Sequence, residues 1–119
     1  MTDEQWDICL DINLRGTFNC IRSASKYMMR KNHGGRVINI TSIAGLTGNP
    51  GQINYSAAKG GIIALTKTIA KEWQRYKITC NAVAYGGVHT RLTGEKETGE
   101  EVFGERLGIP KKMRSIYLQ

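Results

Sequence analysis

A tyrosine followed four residues later by a lysine occurs twice in this chain, and such a pair can carry acid–base chemistry. The first pair is Tyr27 and Lys31, and the second is Tyr55 and Lys59 in the segment YSAAKG. A free tyrosine has a pKa of about 10 and is a poor base at neutral pH. A lysine one helical turn away lies on the same face, and its positive charge favours the phenolate. Spacing alone does not distinguish the two pairs.

The surroundings of the two tyrosines differ. Tyr55 begins a predicted helix, after a strand that ends in Thr41 and Ser42 and after a glycine-rich loop. Open α/β sheets build their sites at the carboxyl ends of parallel strands. A hydroxyl there, such as that of Ser42, can hydrogen-bond a carbonyl oxygen and stabilise charge that develops on it. Tyr27 lies late in a helix with no polar loop beside it, which predicts a surface pair. The competing interpretation of Tyr55 is a structural tyrosine at a helix start.

The predicted elements follow the order helix, strand, helix, strand, which is typical of parallel strands joined by a right-handed crossover. The first helix begins in a capping box formed by Thr2 and Gln5 and ends before the HGG at residues 33–35. The segments RVINITS and KITCNAVA predict short buried strands. Residues 55–76 predict the second long helix, with an apolar stripe of Ile62, Leu65, Ile69 and Trp73. The glycine-rich residues 43–54 predict a loop, and residues 94–108 a short helix.

Length and composition limit the classes of protein to which the chain can belong. The 119 residues allow one domain, 40% of them are hydrophobic, and no apolar run approaches the ~20 residues of a membrane span. The acidic start does not fit a signal peptide, so we expect a cytoplasmic location. The three cysteines show no CxxC or Cys/His spacing, which favours small buried hydrophobes over a disulfide or a metal site. No metal is therefore expected.

The net charge of +7 is compatible with a polyanionic partner, but the basic residues are spread along the chain. No arginine-rich or aromatic-interleaved stretch occurs, so nucleic acid is not the expected partner. Basic residues such as Arg30 and Lys31 are interpreted as solvated positions. An acidic carrier or a phosphorylated cofactor is the alternative partner.

Residues 1–90 resemble the second half of a short-chain dehydrogenase/reductase, and most closely 3-oxoacyl-acyl-carrier-protein reductases and related alcohol dehydrogenases. The resemblance is carried by four motifs in order: NLRGTFN from Asn13, GGRVINITSIAG around Ser42, NYSAAKGGIIALTKTIAKE around Tyr55, and ITCNAVAYGGVHT ending at Thr90. It implies an α/β fold, part of a Rossmann-like doubly wound parallel sheet. Tyr27 and Lys31 match no motif of the family.

The resemblance also implies roles for individual residues. Tyr55 would be the general acid that protonates a carbonyl oxygen during reduction, and Ser42 would position that oxygen. Lys59 would lower the tyrosine's pKa and hydrogen-bond the ribose of the nicotinamide nucleotide. Asn13 would hold a water that links Lys59 to solvent. The alternative for Asn13 is a surface or helix-kinking asparagine.

The implied cofactor is NADP(H) or NAD(H), which supplies the hydride. Val88 and Thr90 would contact the nicotinamide carboxamide. Two departures from the family pattern are visible. The first is that Tyr85-Gly86 stands where the family has proline-glycine. The second is that the 119 residues contain no strand followed by the GxxxGxG fingerprint. The glycine-rich GLTGNPG at 45–51 follows the Ser42 strand instead. The 119 residues also do not include the position that would discriminate NAD from NADP.

The sequence therefore predicts an oxidoreductase acting on a ketone or secondary alcohol, with an acyl-carrier-linked substrate as one candidate. Residues 1–93 would form the catalytic segment, and residues 94–119 a flexible substrate-loop-like segment. The alternative function is a noncatalytic assembly module. In the family the two long helices commonly pair with those of a second subunit, so we expect a homo-oligomer through the helices at 2–32 and 55–75. A basic protein that binds RNA or an acidic carrier is a third, weaker hypothesis.

Overall fold

The computed structural model describes residues 1–30, 33–87, 101–102 and 105–106. Its element order confirms the predicted alternation of helices and strands in residues 1–85. The elements are α1 (Asp3–Leu10), a π-helical turn (Asp11–Arg15), α2 (Gly16–Arg30), β1 (Gly35–Ser42), α3 (Ala44–Thr47), α4 (Ile53–Glu72), a 3-10 turn (Gln74–Tyr76), β2 (Ile78–Tyr85), β3 (Glu101–Val102) and β4 (Glu105–Arg106).

The first long helix is interrupted at Asp11–Arg15, where the apolar periodicity predicted a continuous helix. A helix-kinking asparagine was the alternative interpretation of Asn13. The helix begins as expected, because Thr2 and Gln5 form the capping box. At Asp11–Arg15 it widens into a π-helical turn that contains Asn13. The Asn13 side chain donates to the carbonyl of Cys9 at 2.9 Å, and Thr17 Oγ1 donates to the carbonyl of Asn13 at 2.7 Å. Side chains that bond to helix carbonyls in this way bend or widen a helix, and π turns occur often at functional sites.

Strands β1 and β2 form a parallel two-stranded sheet. Along β1 the side chains alternate as a strand requires: Asn39 and Thr41 are buried, whereas Ile38 and Ile40 on the opposite face are exposed. The buried face packs against the helices. Its core cluster consists of Ile21, Ile69, Trp73, Ile78 and Cys80.

Helix α4 was predicted over residues 55–76. It begins two residues before the predicted start, at Ile53, and ends four residues before the predicted end, at Glu72. The expected loop at residues 43–54 is partly wrong, because it contains the one-turn helix α3. The chain leaves the 3-10 turn through Lys77, whose φ of 60° lies in the left-handed region, and then enters β2.

The cysteines are not uniformly buried, so the expectation for them is only partly confirmed. Cys80 is buried, Cys9 is half-buried and Cys20 is exposed. Among the described residues, no group of three or more His, Cys, Asp or Glu side chains is arranged to hold a metal ion. Within the same residues, no helix is both long and apolar enough to cross a membrane.

The chain divides into two units, Met1–Ala84 and Tyr85–Gln119. In the second unit, β3 and β4 pair antiparallel, with Glu101 opposite Arg106 and Val102 opposite Glu105. A short helix was predicted across residues 94–108. At the four residues described there, that prediction is wrong, because they pair as strands.

Candidate active site

Tyr55 and Lys59 lie one turn apart near the start of α4, and both side chains are half-buried. Lys59 Nζ is 5.6 Å from the centre of the Tyr55 ring. The same amine donates to the carbonyl of Ile40, in β1, at 3.5 Å. The helix thus places an ammonium group beside the phenol, and the amine reaches across to the strand that carries Ser42.

Ser42 is the last residue of β1, and it is half-buried. Its Oγ accepts a hydrogen bond from the backbone N–H of Ala44 at 3.2 Å. A serine hydroxyl has one proton to donate as well as lone pairs to accept. The bond from Ala44 uses a lone pair, so the hydroxyl proton of Ser42 is left to donate to an oxygen of a bound molecule.

The segment after Ser42 packs closely on α4. A Cβ added to Gly45 would lie 2.6 Å from Gly60 N and 2.6 Å from the carbonyl carbon of Lys59. Glycine is required there because no side chain fits between the two backbones. Gly61 is approached in turn by the Leu14 side chain, so a Cβ at Gly61 would lie 2.9 Å from Leu14 Cδ2. The small residues at the start of α4 thus admit α3 on one side and the π turn on the other.

Asn13 lies in the π turn, and it connects to the tyrosine–lysine pair through Cys9. The Asn13 amide donates to the Cys9 carbonyl at 2.9 Å and lies 3.7 Å from Cys9 Sγ. Burial raises the pKa of the Cys9 thiol, while the hydrogen bond from Asn13 and the charge of Lys59 act in the opposite direction. Partial burial lowers the pKa of Lys59, and Cys9 opposes that effect. Asn13, Cys9 and Lys59 therefore belong to one local group.

Sequence reasoning did not single out Cys9 or Thr41. Thr41 is buried, and its Oγ1 donates to the backbone carbonyl of Lys59 at 2.7 Å. The available signal for Thr41 was a hydroxyl residue in a strand predicted to be buried, directly before the candidate Ser42. Cys9 lies four residues before Asn13, the i,i+4 distance at which helix side chains meet.

Two of the predicted site residues, Val88 and Thr90, lie outside the described residues. Tyr27 is 73% exposed on α2, and Lys31 also lies outside the described residues. The exposure of Tyr27 fits the surface position that its sequence context predicted.

Comparison with known proteins places this arrangement in a family. The short chain dehydrogenase profile matches residues 1–101. A 3-oxoacyl-[acyl-carrier-protein] reductase of Synechocystis sp. is 53% identical over 90 residues, which are 76% of this chain and 36% of that protein. One from Staphylococcus epidermidis is 48% identical over 93 residues, which are 78% of this chain and 38% of that protein.

Solved structures agree with the sequence relatives. The acetoin dehydrogenase of Enterobacter cloacae matches with a TM-score of 0.74 and 36% identity, over 76% of this chain and 36% of that one. The acetoin dehydrogenase of Salmonella typhimurium matches with a TM-score of 0.73 and 32% identity, over 98% of this chain and 47% of that one. The fold is therefore that of the Rossmann-like dehydrogenases.

The chain belongs to the short-chain dehydrogenase family, and within it resembles the 3-oxoacyl-acyl-carrier-protein reductases. It spans less than half the length of the relatives named above.

Proposed function

We propose that this chain carries the catalytic group of an oxidoreductase that interconverts a ketone and a secondary alcohol with NADP(H) or NAD(H). The observation that carries the proposal is the position of Lys59 Nζ, 5.6 Å from the Tyr55 ring on the first turns of α4. Ser42 ends the strand against which that helix packs. A phenol, an ammonium and a hydroxyl at the carboxyl end of a parallel strand suit proton transfer to a carbonyl oxygen.

In this proposal Tyr55 is the general acid. Its hydroxyl gives a proton to the carbonyl oxygen as reduction proceeds, and it takes the proton back when the alcohol is oxidised. The Lys59 amine lies 5.6 Å from the centre of the Tyr55 ring, so a positive charge stands beside the group that exchanges the proton.

Ser42 acts as the second donor to the same oxygen. Its Oγ accepts from Ala44 N at 3.2 Å, which turns the lone pairs toward α3 and leaves the proton for the substrate. A fixed donor aimed at an oxygen that gains negative charge stabilises the transition state more than the ground state.

Lys59 also contributes to holding the cofactor. Its ammonium group has three donors, and the contact with the Ile40 carbonyl uses one of them. The remaining donors fit the hydroxyls of the nicotinamide ribose, with Val88 and Thr90 proposed to contact the carboxamide. The bound nicotinamide supplies the hydride. Asn13, which joins this group through Cys9, is proposed to hold a water that returns protons from solvent to Lys59.

The proposed substrate class is a 3-oxoacyl thioester, with the acyl group held on a carrier. The 3-oxoacyl-[acyl-carrier-protein] reductases that match at 53% and 48% identity support this choice. The net charge of +7 and exposed bases such as Arg30 are compatible with an acidic carrier. We further propose that residues 1–93 form the catalytic segment and that residues 94–119 contribute to the substrate side.

The two tyrosine–lysine pairs provide the test and its control. Tyr55→Phe removes the proton donor and is expected to lower the rate of reduction of a 3-oxoacyl thioester about 10²–10⁴-fold. Tyr27→Phe changes an exposed ring and should leave the rate within about twofold. NADPH and NADH binding are measured in parallel by calorimetry. Equal losses for both variants would overturn the assignment of Tyr55.

A groove on the helices favours a second candidate function, assembly with a second copy of this chain. The groove has a volume of about 350 Å³, and it is lined by Leu10, Asp11, Leu14, Arg15, Phe18 and Leu65. Its lining is apolar apart from Asp11 and Arg15, which form an exposed ion pair at 2.8 Å. Because the groove presents apolar surface beside both signs of charge, a two-fold-related copy can match it with the same surface.

The assembly candidate predicts which substitutions disrupt a dimer. Ile69 and Trp73 belong to the buried core, so charging them would unfold the chain. Leu65 packs against the same core, whereas Phe18 lines the groove and is exposed. Phe18→Glu is therefore expected to yield a folded monomer by sedimentation, whereas Lys67→Glu at an exposed position of α4 leaves the dimer intact. A wild-type chain that is monomeric at all concentrations would remove this candidate.

A further inference from the structure

Two side chains on the inward face of β1 bond directly to α4. Asn39 Nδ2 donates to Thr66 Oγ1 at 2.9 Å, and Thr41 Oγ1 donates to the carbonyl of Lys59 at 2.7 Å. Asn39, Thr41 and Thr66 are all buried. These residues fix the position of α4 along the strand at two points. The Asn39–Thr66 bond lies toward the C-terminal end of the helix. The Thr41–Lys59 bond lies next to Ser42 and the tyrosine–lysine pair.

Lys59 is held at both ends by adjacent residues of β1. Its backbone carbonyl accepts from Thr41 Oγ1, and its Nζ donates to the carbonyl of Ile40 at 3.5 Å. The next residue along the strand is Ser42. The position of Lys59 relative to Ser42 is therefore set across a few bonds of one strand and not through the long chain connection between β1 and α4.

We propose that Thr41 is a positioning residue for the catalytic group: its buried hydroxyl holds the first turns of α4 against β1, so that Tyr55 and Lys59 face Ser42. The proposal rests on the function proposed above. Thr41 acts through the Lys59 backbone and touches neither substrate nor cofactor. The close approach of Gly45 to Gly60 works in the same direction, because it leaves no space for the helix to shift toward α3.

A buried threonine can also contribute to stability alone, and Thr66 supplies the matched control. Thr66 Oγ1 donates to the carbonyl of Ile62 at 2.7 Å, as Thr41 Oγ1 does to that of Lys59. Both hydroxyls are buried and both bond to a carbonyl of α4. Replacing either threonine by valine removes that bond at nearly constant volume. Thr66→Val also removes the acceptor of Asn39 Nδ2, which is the second contact between β1 and α4. The two variants therefore differ in whether the lost contact with β1 is the one that ends on Lys59 or the one farther along the helix.

The experiment compares the wild-type chain with Thr41→Val, Thr41→Ser and Thr66→Val. The pKa of the Lys59 amine is measured by NMR of its Nζ resonance, together with kcat, KM and the urea midpoint of unfolding. Partial burial lowers the pKa of Lys59, so a less firmly held side chain regains water and its pKa rises toward the ordinary value. Cys9, the titratable neighbour that acts on Lys59, is unchanged in every variant.

We expect Thr41→Val to raise the pKa of Lys59 and to lower kcat about tenfold with little change in KM. Thr41→Ser retains the hydroxyl and should restore both values. Thr66→Val also takes the Thr66 acceptor from the buried Asn39 amide, so it should lower the urea midpoint by at least as much. It should leave the pKa of Lys59 in place, because its contacts lie farther along α4. If Thr41→Val and Thr66→Val have the same effect on the pKa and on kcat, Thr41 is structural and the proposal is wrong.

Two further results keep the proposal open to refutation. Should Thr41→Val not fold, the wild-type chain itself is examined for a slowly exchanging Thr41 hydroxyl proton with nuclear Overhauser contacts to α4; absence of that signal overturns the proposal. Should Tyr55→Phe keep full turnover, the proposed function fails. The Lys59 pKa would still report whether Thr41 positions the helix, so the two failures are distinguishable.

Discussion

Lys59 Nζ lies 5.6 Å from the centre of the Tyr55 ring, and both residues arise from α4, one turn apart. The pair is therefore fixed by the helix itself, since side chains at i and i+4 share a face. Ser42 belongs to a different element, so a site with all three groups depends on how β1 packs against α4. That packing is made by the Thr41 bond to Lys59 and by the contact of Gly45 with Gly60.

The first prediction concerns Lys59 as a ligand for the cofactor. Lys59→Met removes the ammonium at similar length and is expected to weaken NADPH or NADH binding about tenfold to a hundredfold, measured by calorimetry. This range corresponds to the loss of a hydrogen bond from a charged group, about 1.5–3 kcal/mol. Lys67→Met, on an exposed position of the same helix, should leave the affinity unchanged.

Lys59→Arg separates charge from geometry. The guanidinium keeps the positive charge but presents a planar fork in place of a compact ammonium, so cofactor affinity should recover more than turnover does. Equal weakening by Lys59→Met and Lys67→Met would mean that general surface charge, and not the position of Lys59, attracts the nucleotide.

The second prediction concerns the glycine contact that brings α3 onto α4. Gly45→Ala places a methyl group 2.6 Å from Gly60 N, where only backbone atoms are present to move. We expect a loss of about 1–3 kcal/mol in the free energy of unfolding, measured by urea denaturation. Gly16→Ala is the control: its nearest contact is 3.6 Å away and it begins α2, so it should be neutral or stabilising by up to about 1 kcal/mol. A Gly45→Ala variant that is as stable as Gly16→Ala would show that the close approach to Gly60 does not restrict the residue at position 45.

The arrangement of elements could be predicted from the sequence because each carries a local signal. Thr2 and Gln5 form the expected capping box, and β1 and β2 lie within a residue of their predicted bounds. The stripe on α4 contributes Ile69 and Trp73 to the core. The spacing predicted two tyrosine–lysine pairs as i,i+4 neighbours. The strand and the glycine-rich loop before Tyr55 distinguished the Tyr55–Lys59 pair from the pair at Tyr27.

What could not be predicted depends on contacts between elements that are distant in the sequence. The bond from Thr41 to Lys59 joins residues 18 positions apart, and no local pattern marks it. The π turn was missed because a single asparagine bonding back to Cys9 leaves the apolar periodicity nearly unchanged. The interaction of Cys9 with Lys59 requires α1 to pack against α4, and only the fold specifies that packing.

The third prediction ranks the reactivity of the three cysteines. Cys20 is exposed, Cys9 is half-buried with a raised pKa caused by burial, and Cys80 is buried. Because the thiolate is the reactive form, an aromatic disulfide reagent at pH 8 should modify Cys20 first and Cys9 more slowly. Cys80 should react at least about a hundredfold more slowly than Cys20, since its modification requires opening of the fold. Peptide mapping identifies the sites, and Cys20→Ser should abolish the fast phase. A fast phase that persists in Cys20→Ser would contradict this order.

The fourth prediction follows from the direction in which burial changes the pKa of Cys80. Burial raises that pKa above the ordinary 9.0, so the folded chain disfavours the thiolate. The contribution of Cys80 to stability is complete below pH 9 and is lost as the pH rises through the folded pKa. Lys59 has the opposite sign: its pKa is lowered below 10.5, so its contribution increases with pH up to that value. The pKa of Cys9 is also raised, so its contribution has the same sign as that of Cys80. The wild-type curve therefore mixes the contributions of all three groups.

Comparison with Cys80→Ala isolates the thiol, because Lys59 and Cys9 are present in both proteins. At pH 8 the variant should be less stable than the wild type by about 1 kcal/mol or more, since the removed sulfur leaves a small cavity in the core. At pH 10 the difference should shrink, because the wild type alone loses the contribution of a neutral Cys80. Urea unfolding at the two pH values measures both differences. A difference that stays constant between pH 8 and pH 10 would contradict the prediction, because it would show that the pKa of Cys80 is the same in the folded and the unfolded chain.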